Sequence, residues 1–114
     1  MSSSAAARTL ARAPIASDRE RAFELARATG RELVGLRDFV VDPLLFLYVP
    51  QSLALRERVV PLAVRGDTLE LAAAAADPDL STVTASFPEL EVKLFAAAED
   101  EVLAALNAAA ARTG

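Results

Sequence analysis

The chain alternates between stretches of helical and of strand periodicity. Phe23 and Ala26 lie three apart with Ala22 and Leu25 beside them, among Arg19, Arg21, Glu24 and Arg27. That is the pattern of one buried helical stripe. Ser17 and Glu20 have capping-box spacing and Gly30 suits a helix C-terminus, so the pattern predicts a helix over 18–29. A short strand is predicted at 32-ELVGL-36. Asp42 can cap a second helical start, with Pro43 at the first position, where its missing N–H loses no bond. The run 44-LLFLYV-49 is apolar on every side. It reads as a short buried helix or a strand, and the flanking Pro43 and Pro50 favour the helix. Pro50 then opens a helix over 51–57.

Further on the period shortens to two. Strands are predicted at 59–64 and 68–74, joined by the tight turn Arg65-Gly66-Asp67, where glycine supplies the positive φ that hairpin turns often need. In the second strand Leu69 and Leu71 share a face, and Thr68 and Glu70 share the other. Pro61 cannot donate to a ladder and demands an edge or an irregularity. Asp77-Pro78 stops the second strand. A short helical piece over 79–87 leads to a strand at 90–96, and a helix over 99–113 carries Val102, Ala105, Leu106 and Ala109 on one stripe. This order predicts an α+β fold: a small two-layer sandwich, with helices packed on a mixed or antiparallel sheet. Residues 1–16 read as a flexible N-terminal arm and 17–114 as one domain.

Composition narrows the chemistry. Of 114 residues 54% are apolar, much of that alanine, so the large core candidates are few and begin with Phe23, Leu25 and Leu33. The net charge is −4, with basic and acidic residues interspersed. No basic stripe tracks a phosphate backbone, and nucleic acid is not an expected partner. There is no cysteine and no histidine, which excludes thiolate chemistry and removes the usual neutral-pH base and commonest zinc ligand. No apolar run is long enough to span a bilayer, and the start does not read as a secretory signal, so a cytoplasmic protein is expected. The carboxylate pairs Asp38/Asp42 and Asp77/Asp79 have simpler roles as caps and turn residues. Ser17 has no base to activate it, and Tyr48 sits in an apolar run. No enzyme activity, cofactor or metal is expected.

Several short motifs recur in one order. They are 25-LARATG-30, 42-DP-43 with Pro50, 56-RERVVPL-62, Gly66 with Leu69, 75-AADP-78 and 99-EDEVLAAL-106. Over about 18–107 this succession resembles the N-terminal domain of type II secretion and type IV pilus assembly ATPases, the GspE N-terminal family. The chain departs from full members in two ways. It lacks the G-x-x-x-x-G-K-S/T loop of the motor, and its segment after Asp77-Pro78 is short. It therefore reads as a stand-alone domain, a paralogue without the motor, or a fragment.

The resemblance implies a protein-interaction domain that docks onto a secretion or pilus assembly component, peripheral at the inner membrane through that protein partner. The docking surface expected is the first helix, through Arg19, Arg21, Glu24 and Arg27, with the arm before it. An alternative implied by some relatives is a cyclic-di-GMP-binding regulatory domain using R-L-G-x-x-L-x-x-x-G segments. Here 8-RTLARAPIASD-18 offers Arg8 and Arg12, with Arg27 as a further phosphate contact, but lacks the glycines. Sequence alone therefore argues against cyclic-di-GMP.

Overall fold

The computed structural model of the chain describes residues 17–113. Helix α1 (Asp18–Thr29) opens with the expected capping box: Ser17 Oγ accepts from Glu20 N at 3.1 Å, and Glu20 Oε1 accepts from Ser17 N at 2.9 Å. It ends at Gly30 with φ 71°. Its buried stripe is smaller than predicted. Only Ala22 is fully buried, Leu25 and Ala26 are half-buried, and Phe23 is 51% exposed. Both ends of α1 are capped locally, and it lies against the rim of the sheet and the last helix, so a small contact face suffices.

The predicted strand at 32–36 shrinks to a single parallel bridge, Leu33 to Ala96. Val34 N donates to Ala96 O and Ala96 N to Glu32 O, both at 2.9 Å. The chain then leaves the sheet, because Leu36 turns into the core and its N–H is taken by the Glu101 carboxylate. Leu33 remains exposed at the rim, not in the core.

A 3-10 helix (Pro43–Leu47) follows, with Asp42 Oδ1 accepting from Leu44 N at 3.0 Å. It is not the buried element predicted. Residues three apart eclipse one another in a 3-10 helix, so Leu44 and Leu47 share an outward side while Leu45 points in. Tyr48 leans on Phe87, ring centroids 5.0 Å apart. Helix α2 (Gln51–Glu57) buries Leu53 and Ala54 and closes at Arg58, which takes the left-handed conformation at φ 58°.

The sheet has the order β1 (Val59–Arg65), β2 (Thr68–Ala73), β3 (Glu91–Ala96). The first pair is antiparallel and the second parallel, so the sheet is mixed. Pro61 sits on an edge strand at a register shift between Pro61 and Ala63, where a missing donor costs the ladder least. The hairpin turns at Gly66 with φ 61°. β2, hydrogen-bonded on both sides, buries Leu69, Leu71, Ala72 and Ala73 completely. A buried leucine or valine contributes roughly 1.5–3 kcal/mol. Its alanines allow close approach by neighbouring elements.

Between β2 and β3 the chain crosses by the short helix α3 (Ser81–Ser86), which buries Val83. Glu57 Oε1 accepts from Asp79 N at 2.8 Å, and Asp79 Oδ1 accepts from Ser81 Oγ at 2.7 Å. The Asp79 amide, with help from Arg56, holds the Glu57 carboxyl below its ordinary range. The Ser81 hydroxyl and amide do the same for Asp79. Helix α4 (Glu99–Thr113) buries Val102, Ala105, Leu106 and Ala109, the predicted stripe. Among the described residues no helix is long and apolar enough to cross a membrane.

Candidate functional site

Two side chains of α4 hold the segment after α1 against the domain. Leu36 N donates to Glu101 Oε1 at 2.8 Å, and Arg112 Nη2 donates to Val41 O at 2.9 Å. Leu36 and Val41 are themselves buried. Between these fixed points the backbone bulges. Phe39 N returns to Leu36 O at 2.9 Å, and Asp38 takes φ 63°. That left-handed conformation is disfavoured for a residue with a Cβ, though aspartate tolerates it better than most.

The bulge is one wall of a groove of about 770 Å³, and the outer face of α4 is the other. Leu36, Phe39, Val40 and the α4 alanines give it an apolar floor. Arg19 and Asp100 lie at the end where α1 meets α4, since Asp100 N donates to Asp18 Oδ2 at 3.1 Å. Arg37 and Asp38 belong to the bulge, and Arg112 closes the far end. A smaller recess of about 140 Å³ adjoins it between Arg19, Leu33, Gly35 and Glu101.

The charges are unevenly engaged. Arg112 spends one donor on Val41 O and Glu101 one oxygen on Leu36 N. Arg19 and Arg37 make no ion pair or side-chain hydrogen bond among the described residues. A guanidinium with all its donors open is suited to bidentate capture of a phosphate or carboxylate. Ionised carboxylates beside it accept from ring N–H and amino groups. The apolar floor can take the face of a planar ring.

The helix surface expected from sequence divides. Arg19 lines the groove. Arg21 is paired with Asp18 instead. Glu24 and Arg27 pair with each other at 3.0 Å on the exposed side of α1. Arg8 and Arg12 lie outside the described residues. Sequence reasoning missed Arg37 and the groove role of Arg112, whose place near the end of α4 reads only as a match to the helix dipole. The hint available was Arg37-Asp38, two charges inside an otherwise apolar stretch. Of the carboxylates weighed for chemistry, Asp42 caps and Asp79 holds Ser81, and Asp38 lines the groove. Among the described residues, no group of three or more His, Cys, Asp or Glu side chains could hold a metal ion.

A family profile described as the MshEN domain matches residues 29–114. Among solved structures the chain is similar to MshE in "Structure of MshE with cdg", at 21% identity and TM-score 0.66, over 81% of this chain and 68% of that one. It is also similar to the N-terminal domain of XpsE, at 21% identity and TM-score 0.61, over 80% of this chain and 65% of that one. A second crystal form of XpsE gives 18% identity and TM-score 0.61, over 82% of this chain and 67% of that one. No curated protein matches the chain. Sequence alone sets cyclic-di-GMP aside for want of glycines near Arg8, and the likeness to MshE with cdg corrects that expectation. A missing local motif says little about a groove assembled from α1, the bulge and α4.

Proposed function

The chain belongs to the MshEN domain family, the non-catalytic N-terminal module of GspE- and MshE-type ATPases, and from that premise we propose that it is a regulatory domain binding a cyclic dinucleotide, cyclic-di-GMP. The observation that carries this reading is the pair of guanidiniums, Arg19 and Arg37, unpartnered among the described residues, on an apolar groove that also holds Asp100 and Glu101. A cyclic dinucleotide brings two phosphates for the arginines, two flat bases for the floor, and guanine N–H edges for the carboxylates. The likeness to MshE, whose structure holds cdg, supplies the ligand class.

Calorimetric titration of cyclic-di-GMP into the wild type and into Arg19→Glu and Arg37→Glu tests this. The expected wild-type affinity is low micromolar, about −8 kcal/mol, with each substitution weakening it at least about tenfold. Equal affinity in all three proteins, or no heat at about 100 μM, would sink the reading. The substitutions leave folding intact on this reading, because neither arginine is paired among the described residues.

A second reading, docking to a protein of the secretion or pilus assembly machinery, is favoured by a separate feature. Val40, Leu44 and Leu47 are all exposed within one short stretch of chain, and exposed apolar patches mark interaction surfaces. The two readings are compatible, since Val40 also lines the groove. A bound ligand would then touch the docking stretch at Val40.

A further inference from the structure

Away from the groove, the outer edge of β3 lacks a strand partner among the described residues over most of its length. Ala96 N donates outward to Glu32 O at 2.9 Å. Glu91 N and Ala97 N donate to the β2 side instead, to Asp67 O at 2.7 Å and Ala73 O at 3.1 Å. Backbone groups alternate sides along a strand. Val92 and Leu94 therefore point their N–H and C=O groups away from β2, and among the described residues nothing bonds to them there. This window is closed at one end by Glu32 and Val34, which bond to Ala96, and at the other by the turn in which Leu90 N donates to Phe87 O.

We propose that this edge pairs with the same edge of a second copy of the chain, antiparallel about a two-fold axis at Val92. In that register Val92 faces the second copy's Val92, and the pair exchange both backbone hydrogen bonds. Leu94 N–H reaches the second copy's Leu90 C=O, and the symmetric bond forms on the other side of the axis. The ladder thus stops where the open window stops, before the occupied edge at Ala96. Val92 and Leu94 are half-buried, and pairing brings the two valines together on the core side of the sheet.

The charges select the register. Glu91 falls opposite the second copy's Lys93, and Lys93 opposite its Glu91. These are non-hydrogen-bonded positions, where the strands approach to about 4.5 Å between Cα atoms and side chains lie closest. Both residues are exposed, and neither has an ion pair among the described residues. Lys93 lies over its own Phe95 ring, 5.0 Å from the centroid. Its neighbour across the sheet, Glu70, is engaged by Arg65. Moving the axis to Lys93 would set lysine against lysine and bring Leu90 onto Ala96, whose edge is taken. Charged residues commonly guard an edge against pairing. Opposite signs two residues apart guard this one against every partner except a strand that presents them in reverse order, as a second copy does.

Sedimentation equilibrium of the full chain from about 10 to 500 μM tests this, beside Glu91→Lys, Lys93→Glu and an equimolar mixture of the two variants. Interfaces this small are weak, so wild-type dimers are expected at about 100 μM. Either reversal places like charges at both cross-strand positions and should weaken dimerisation at least about fivefold. The mixture restores opposite charges at both positions and should recover wild-type association, which also shows that the variants are folded. In the wild type, exchange of the Val92 and Leu94 amides with solvent should slow as concentration rises. A wild type that stays monomeric throughout overturns the proposal. So does a dimer that neither reversal weakens, a mixture that associates no better than the single variants, or a dimer in which those two amides exchange at an unchanged rate.

Discussion

The β2 strand and the segment Val40–Leu47 are comparably apolar and bury their side chains in opposite ways. In β2, Leu69, Leu71, Ala72 and Ala73 are all fully buried. In the other segment Val41 is 1% exposed and Leu45 8%, yet Val40 is 66%, Leu44 67% and Leu47 73% exposed. β2 is paired on both edges, so its backbone direction is set and its leucines and its last two alanines meet a neighbouring layer. The 40–47 segment has no ladder. It is held by Glu101, Arg112 and the Asp42 cap, and between those points its side chains follow the 3-10 period. Apolar sequence therefore marks core in one region and available surface in the other, and backbone hydrogen bonding decides which.

The largest effect should come from the sheet. Leu71→Ala removes a fully buried side chain from the central strand and should cost about 2–5 kcal/mol in urea unfolding. A loss below about 1 kcal/mol would mean that β2 is not the rigid partner in this comparison.

A middle-sized effect is expected at the bulge. Asp38 holds φ 63°, so Asp38→Val should destabilise by about 1–2 kcal/mol. Asp38→Gly should be neutral or stabilising by a few tenths, about 0.5 kcal/mol at most. Equal cost for the two would show that the aspartate side chain, and not the backbone, sets the groove wall.

The smallest effect belongs to the exposed face. Leu47→Ala should change stability by less than about 0.5 kcal/mol, although it is the same leucine-to-alanine change as in β2. A cost comparable to that of Leu71→Ala would abolish the distinction between the two regions. A neutral result would leave Leu47 free for the docking role that its exposure suits.

Much of the fold was legible in the sequence because local rules governed it. The Ser17–Glu20 box, the Asp42-Pro43 start, the Gly66 turn, the Pro61 irregularity and the Val102–Ala109 stripe each depend on a few neighbouring residues. The order of motifs also carried the family. Three expectations failed for one reason. Phe23 and Leu33 are core candidates by sequence, 32–36 a strand, and 44–49 a buried helix or strand with the helix favoured. Period and apolarity report which residues can be buried together, not whether a covering layer exists.

As an assembly the groove lay beyond the sequence, which offered only Arg19 on the first helix and the Arg37-Asp38 pair. Arg19, Arg37 and Arg112 are far apart in the chain, and nothing local relates them. They line one groove because Glu101 takes the Leu36 amide and Arg112 the Val41 carbonyl, which folds the bulge over α4. By itself the sequence determined the helix ends and the β1–β2 turn, since their hydrogen bonds close within a few residues. The tertiary structure alone decided which apolar side chains stayed in water and which arginines line the groove, since both depend on long-range contacts that no local pattern encodes.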